Sequence, residues 1–153
     1  MTASSKNVPA KAVLTVKPVG LGQLFLDPEN PRLEAVTAGQ TQEELAKAMW
    51  KEMAVSEVAL SIAENGFFEE EPLFVIPAPK GFAAGERLGP DHDPKKPSYV
   101  VVEGNRRLTA VKLLVDSGLR RRIRATDLPT IPEARRRDLQ MLPVSVYPNK
   151  EAL

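Results

Sequence analysis

The sequence contains no cysteine, and this absence excludes disulfide bonds, thiolate metal sites and cysteine nucleophiles together. It contains a single histidine, His92, which stands between two aspartates in a proline-rich segment. One histidine with two aspartates at this spacing makes a poor metal site, and a histidine in such a segment is usually solvated. We therefore assign His92 no role and predict no metal site around it.

Aromatic residues make up only 5% of the chain, and no apolar run approaches the 18 residues that a membrane-spanning helix needs. The first residues also lack the apolar core of a signal peptide. The rest of the composition is ordinary for a water-soluble protein: 42% of the 153 residues are hydrophobic and 27% are charged. We expect about one domain, large enough to bury a core, located in the cytoplasm and away from membranes.

Charge is distributed unevenly along the chain, although the net charge is only +1. Residues 26–71 carry 11 acidic and 3 basic side chains, whereas residues 101–153 carry 11 basic and 6 acidic ones. The two regions either pair with each other or leave a basic face for a polyanion. The overall balance is not that of a dedicated nucleic-acid-binding protein.

The stretch from Tyr99 to Gly118 has the most informative pattern. Four apolar, largely β-branched residues (99–102) predict a buried strand, and Glu103-Gly104-Asn105 interrupts it. Apolar residues then recur at helical spacing up to Val115, with Gly118 where a C-cap glycine is expected. The pattern predicts a strand, a tight turn and a helix whose first turn contains Arg106 and Arg107.

Two arginines in the first turn of a helix call for an explanation, because cations are disfavoured at the positive end of the helix dipole. An anion held between them removes the repulsion, and phosphate is the natural choice, since free backbone N–H groups point outward there. Gly104 would let such a ligand approach the backbone. The alternative is a solvated basic turn that pairs with acidic residues elsewhere.

Three motifs resemble those of the ParB/sulfiredoxin superfamily and occur in the family's order. Residues 103–110 (EGNRRLTA) resemble its GERRxRA box, with Asn105 in place of the usual Glu and Thr109 in place of the last Arg. Residues 27–32 (DPENPR) resemble its earlier NP…PR box. Residues 61–66 (SIAENG), followed by 72–76 (PLFVI), resemble its SI…G…QP…V segment, with Glu71 in place of Gln.

The resemblance covers about residues 20–147 and implies a ParB/sulfiredoxin-like fold of the α/β (α+β) class, with a small mixed sheet and packed helices. It implies a bound nucleotide, CTP or ATP with Mg²⁺, whose phosphates lie over the turn at residues 103–109. The residues carried over as nucleotide or phosphate ligands are Gly104, Asn105, Arg106, Arg107, Thr109, Arg32, Gly66 and Pro72. The lack of cysteine excludes sulfiredoxin's own reaction.

Several of these residues also have a structural interpretation. Glu103 is a candidate acid, base or Mg²⁺ ligand, or a carboxylate that balances the neighbouring arginines. Arg32 lies at the rim of the anion site or is a surface charge, and Thr109 donates a hydroxyl or packs. Phe67 and Phe68 belong to the core or border a base pocket. Glu69–Glu71 are a solvated run or hold Mg²⁺.

Three kinds of function remain open at this stage. The first is a nucleotide-binding module of a DNA-associated protein of partition, plasmid, phage or defence type, with a homodimer as one candidate assembly. The second is a phosphotransferase or nuclease on the same fold. The third is a nucleic-acid adaptor in which Arg106, Arg107 and Arg120–Arg124 contact backbone phosphates.

The remaining segments complete the predicted organisation. We expect a disordered N-terminus (1–11), one domain (12–148) and a tail (149–153) where a longer protein has been cut or a stand-alone member ends. Within the domain, the sequence predicts an edge strand over Ala12–Val19, strands at 73–76 and 142–146, and a proline-rich loop over 77–98 between two strands that pair. It predicts helices at 42–52, behind the capping box at Thr41, at 55–65, and from Pro132 onward.

Overall fold

A mixed β-sheet and the helices packed on it form the part of the chain that the computed structural model describes, residues 15–33, 40–89 and 91–153. The strands are β1 (Val16–Gly20), β2 (Leu24–Phe25), β3 (Leu73–Pro77), β4 (Tyr99–Glu103) and β5 (Met141–Val146). The α-helices are α1 (Gln42–Glu52), α2 (Val55–Asn65), α3 (Asn105–Val115), α4 (Ser117–Ile123) and α5 (Glu133–Asp138). Short 3₁₀ helices cover Leu21–Gln23 and Lys150–Ala152.

The strands form one sheet in the order β1-β5-β3-β4-β2. Strand β1 is antiparallel to β5, β5 is parallel to β3, β3 is antiparallel to β4, and β4 is parallel to β2. The predicted fold class, a small mixed sheet with packed helices, is therefore confirmed. The expected pairing of the strands on either side of the 77–98 loop is confirmed as well, because they are β3 and β4.

Strand β1 lies at one edge of the sheet, as its sequence predicts. In its pairing with β5, Pro18 stands directly opposite Pro143, and β1 has no partner on its other side within the described chain. The predicted edge strand began at Ala12, but residues 12–14 lie outside the described residues. The N-terminus expected to be disordered (1–11) lies outside them too.

Two local predictions are wrong, and one strand was missed. Gly118 does not cap α3, because the C-cap residue is Asp116. The Asp116 carboxylate accepts a hydrogen bond from Leu119 N at 3.1 Å and so caps the start of α4, which contains Gly118. Pro132 is the N-cap residue of α5 rather than its first helical residue. Strand β2 was not predicted, because two residues are too few to show a period of two.

Helix α3 is the most deeply buried helix and lies across the centre of the fold. Eight of its eleven residues are buried, because the sheet covers one side and α1, α2 and α4 cover the others. Its fully buried side chains include Leu108, Val111 and Leu113. None of the helices in the described segments is long and apolar enough to cross a bilayer.

The loop between β3 and β4 is anchored to the rest of the protein at several points. The side chain of Gln23 donates to Lys96 O and Pro97 O at 3.1 Å each and accepts from Asp93 N at 2.7 Å. His92, to which the sequence assigned no role, packs its ring on Phe25 at 5.7 Å between centroids. Its Nδ1 lies 3.0 Å from Gly22 O. His92 therefore helps to hold the loop against β2.

Helix α1 begins with the predicted capping box. The Thr41 hydroxyl accepts from Glu44 N at 3.1 Å, and the Glu44 carboxylate accepts from Thr41 N at 2.8 Å. We expect Thr41→Ala to lower the free energy of unfolding by about 1 kcal/mol, because it leaves one N–H group without an acceptor. Urea unfolding followed by circular dichroism measures this change. Thr41→Ser, which keeps the hydroxyl, should lose much less; equal losses in the two variants would contradict the capping role.

Candidate functional site

A cleft of about 510 Å³ opens between α1 and α2 on one side and the turn from β4 to α3 on the other. It brings together residues that the three sequence motifs contribute from distant parts of the chain. Seven of the nine predicted site residues line it: Arg32, Gly66, Glu103, Gly104, Asn105, Arg106 and Arg107. Thr109 and Pro72 do not line it.

The turn that forms the floor of the cleft depends on Gly104. This residue is the N-cap of α3 and has φ +108°, a conformation that glycine adopts without strain. No side chain caps this end of the helix. The N–H groups of the first turn of α3, which have no intrahelical partners, therefore lie at the cleft together with the positive end of the helix dipole.

Arg106 crosses the cleft to the opposite wall. Its Nε donates to Met53 O at 2.5 Å and its Nη2 to Ala54 O at 3.0 Å, and Glu57 lies 3.6 Å from the same Nη2. Met53 is the C-cap residue of α1, and Ala54, which has φ +51°, is the N-cap residue of α2. A helix C-terminus has negative partial charge, so it compensates the guanidinium without an external anion.

Arg107 lies directly over the turn. Its Nη1 donates to Glu71 O, and its guanidinium stands over the Phe67 ring, 5.1 Å from the centroid. Its Nη2 lies 3.1 Å from the position that a Cβ on Gly104 would occupy. Burial lowers the pKa of Arg107, while Glu71 and Glu103 act in the opposite direction, and the group remains a cation.

Donors remain on both arginines after these contacts are made. A guanidinium has five N–H donors. Among the described residues, neither Nη1 of Arg106 nor Nη2 of Arg107 donates to a protein acceptor. These groups and the free N–H groups of α3 are the donors that the cleft offers to an anion.

Asn105 and Thr109 use their side chains inside the protein. The Asn105 amide accepts from Asp27 N at 3.0 Å and donates to Val101 O at 2.9 Å, so that it ties the DPENPR turn to β4. The hydroxyl of Thr109, which is fully buried, donates to Asn105 O at 2.8 Å. Of the two, only Asn105 borders the cleft, where its backbone N–H opens α3.

The DPENPR turn is held in place from both ends. Asp27 accepts from Glu29 N at 2.8 Å, and Asn30 accepts from Arg32 N at 3.0 Å. Lys150 bridges the carboxylates of Asp27 and Glu29 at 3.3 and 2.8 Å. The hydrogen bond and charge of Lys150 lower the pKa of Glu29. These contacts place Arg32, an exposed side chain, at the rim of the cleft.

Carboxylates also border the cleft. Glu103 is exposed at the end of β4, and Glu57 and Glu71 lie along the wall. In the described segments, no three His, Cys, Asp or Glu side chains are arranged as a metal site. Of the run 69–71, only Glu71 lines the cleft. Of the aromatic pair, Phe67 packs against the core and Phe68 is 50% exposed at the cleft mouth.

Sequence reasoning missed the contribution of α1 and α2 to this site. Met49, Met53, Glu57 and Ser61 line the cleft. Only Ser61 belongs to one of the three sequence motifs, and no role at the site was predicted for Met49, Met53 and Glu57. A signal was present in α2. Glu57 and Ser61 are four residues apart, which places both on one face of a helix, next to the buried Ile62.

Several other arginines bind backbone carbonyls at the ends of helices. Arg135 donates to Ala63 O and Glu64 O at the end of α2, at 3.3 and 3.2 Å, and Arg136 donates to Val115 O at the end of α3, at 2.6 Å. Arg120 donates to Pro129 O at 3.3 Å. Arg122 pairs with Glu43 at 2.7 Å, one of the contacts expected between the basic and acidic regions. Arg121 and Arg124 are exposed.

Comparison with known proteins gives one structural similarity. No protein-family model matches the chain, and no curated protein sequence does. Among solved structures, the C-terminally truncated chromosome-partitioning protein ParB from Caulobacter crescentus, complexed with CTP-gamma-S, is similar at 19% sequence identity and a TM-score of 0.41. The match covers 90% of this chain and 47% of that one, so the chain spans about half of that protein's length.

Proposed function

We propose that this chain is a nucleotide-binding module that holds a di- or triphosphate, as CTP or ATP with Mg²⁺, over the turn from β4 to α3. The observation that carries the proposal is the convergence of three separate sequence motifs on one cleft at the uncapped start of α3. The cleft volume, about 510 Å³, lies within the range of small-molecule sites.

The phosphates are assigned to the turn by its donors. A negatively charged ligand is favoured by the free donors here, which are the first N–H groups of α3, Nη1 of Arg106 and Nη2 of Arg107. Gly104 has no side chain to block the approach of that ligand to the backbone. Arg32 at the rim adds a further cation. The half-exposed Phe68 offers a surface on which a nucleobase can stack.

The experiment is calorimetric titration with CTP, ATP, GTP and UTP, each with Mg²⁺. We expect one nucleotide to bind with a dissociation constant in the micromolar range, about −8 kcal/mol. Arg107→Ala should weaken it by about 10-fold to 100-fold, the usual loss for a hydrogen bond to a charged group. The matched nucleoside, which lacks the phosphates, should bind far more weakly to the unaltered protein.

The control variant is Arg121→Ala, because Arg121 is exposed on α4, away from the cleft. It should bind nucleotide as the unaltered protein does. If no nucleotide binds at millimolar concentration, or if the nucleoside binds as well as the nucleotide, the proposal is wrong. Turnover in the same samples would indicate an enzyme, with Glu103 as the nearest exposed carboxylate to the turn; binding without turnover would indicate a binding module.

The proposal also includes an association with DNA. Arg121 and Arg124 are exposed and contribute to the basic character of the C-terminal region, so they are available to backbone phosphates. Arg120 and Arg122 already have partners within the protein. Further contacts with DNA, and a homodimer, are assigned to the longer protein of which this module would be a part.

A further inference from the structure

A second cavity, of about 160 Å³, lies at the opposite end of α3 from the cleft. It is enclosed by the start of α1, the end of α3 and the β3–β4 loop. Apolar side chains, among them Phe25, Leu26 and Val115, form much of its wall. The amine-bearing side chain of Lys112 also lines it, and no role was assigned to this residue from the sequence.

The loop side of the cavity is held by defined contacts. Glu86 accepts from Gln42 N at 2.7 Å at the first residue of α1. The backbone of Asp91 packs so closely on Gly22 that a Cβ at Gly22 would overlap it. Together with the bonds of Gln23 to the loop, these contacts build the cavity from three segments far apart in sequence.

Lys112 lies on the apolar face of α3, four residues after the buried Leu108 and three before Val115. Its Nζ has one protein acceptor in the described chain, Leu21 O at 3.4 Å. The charged residues around the same cavity are Asp116 on its own helix, Asp91 and Arg87 on the loop, Glu43 paired with Arg122, and Arg136.

The charge of this amine is strongly disfavoured. Burial lowers the pKa of Lys112 to about 8, although Asp116 and Asp91 act to raise it. At neutral pH, the neutral fraction is then roughly 300 times that of a lysine with the ordinary pKa of 10.5. The neutral amine is the form that attacks carbonyl groups, and desolvation in an apolar pocket is a known way to activate it.

We propose that Lys112 is a carbonyl-reactive lysine and that the cavity beside it binds a small aldehyde or ketone of a few carbon atoms. The Nζ lone pair forms a bond to the carbonyl carbon, and one N–H proton passes to the carbonyl oxygen to give a carbinolamine. Loss of that hydroxyl and the remaining N–H proton as water leaves an imine. Asp116 and Asp91 line the same cavity and are the carboxylates that act on the amine, so they are the candidate groups for exchange of these protons.

The cavity favours an uncharged carbonyl compound over an anion. Asp116 and Asp91, which act on the amine, would repel a carboxylate or a phosphate. Of the three arginines that line the cavity, Arg122 and Arg136 have partners within the protein, so Arg87 alone is left to offset the two aspartates. The apolar wall suits a short carbon chain. The volume limits the ligand to a few heavy atoms. This site does not depend on the cleft at the other end of α3.

The test uses propanal and sodium cyanoborohydride, which reduces each imine to a stable N-propyl group. Peptide mass spectrometry then gives a labelling rate for each lysine. At pH 7, we expect Lys112 to be labelled at least about tenfold faster than Lys47, an exposed lysine on α1. The rate at Lys112 should reach half of its maximum near pH 8.

The role of the cavity is tested separately from the reactivity of the amine. Ala46, which is 2% exposed, lines the cavity, and Ala46→Leu would fill part of it. This variant should reduce labelling of Lys112 to the rate of Lys47 and leave Lys47 unchanged. Pyridoxal, a much larger aldehyde, gives the same comparison on the unaltered protein and should show no preference for Lys112. Labelling of Lys112 by propanal at or below the rate of Lys47 overturns the proposal.

Discussion

Replacement of Gly104 with alanine is expected to lower the free energy of unfolding by about 2–4 kcal/mol. Part of this loss comes from φ +108°, which costs an L-residue about 1–2 kcal/mol. The rest comes from crowding, because the new Cβ would overlap Leu73 Cδ2 in the core and press on the Arg107 guanidinium. Overpacking of this kind typically costs about 1–3 kcal/mol. Urea unfolding of the two proteins measures the difference.

Gly85 provides a matched control for this prediction. It also has a positive φ, +79°, but nothing lies within 4 Å of the Cβ that alanine would add. Gly85→Ala should therefore show the cost of the backbone conformation alone. If both variants lose the same stability, the close contact between the β4–α3 turn and Leu73 does not exist in solution.

Replacement of Lys112 with methionine is expected to stabilise the protein by about 1–3 kcal/mol at pH 7. Burial lowers the pKa of Lys112 from 10.5 to about 8, and each pKa unit corresponds to about 1.4 kcal/mol. Below pH 8, the amine is charged in both the folded and unfolded states, so the folded state carries the whole cost of burying the charge. Between pH 8 and 10.5, the folded state binds fewer protons than the unfolded one, so the stability of the unaltered protein rises with pH.

The difference between the Lys112→Met variant and the unaltered protein should therefore shrink as the pH rises from 8 to 10.5. Unfolding midpoints measured at pH 7, 9 and 10.5 give this profile. Lys47→Met, on the exposed face of α1, should change stability little and without this dependence on pH. A Lys112→Met variant that is less stable at pH 7 would show that the lysine's contact with Leu21 O outweighs its desolvation.

The central strand, turn and helix were predictable because their signals are local. The β-branched run of β4, the interruption at Gly104 and the helical spacing of α3 all lie within about 20 residues. The capping box of α1 is also local, because it joins two residues three apart. The end of α3 was mispredicted for an equally local reason. Asp116 and Gly118 are both candidates for the C-cap of α3. The Asp116 side chain caps the start of α4, so α3 ends two residues before the position that Gly118 predicted.

The partners of the arginines could not be predicted, because they depend on tertiary structure. The charge of Arg106 argued for an external anion, but Met53, which is 53 residues away in sequence, supplies a carbonyl at the end of another helix. Similarly, Asn105 was predicted to bind phosphate, and the sequence did not show that its side-chain amide accepts from the N–H of Asp27, 78 residues away. A sequence shows that a polar group needs a partner, but it does not show which distant backbone group lies within reach.

The pair of prolines at the edge of the sheet has a consequence for how molecules of this protein meet one another. A directly opposed Pro18 and Pro143 cannot exchange N–H···O bonds, so they form a non-hydrogen-bonded pair of the antiparallel ladder. The N–H that Pro18 lacks would therefore have pointed outward, into the free side of β1. An incoming strand would therefore find one donor missing from the middle of the row of outward N–H groups on β1. Edge strands in proteins often contain proline for this reason. The open edge of this sheet is thus a poor template for strand addition and fibril growth.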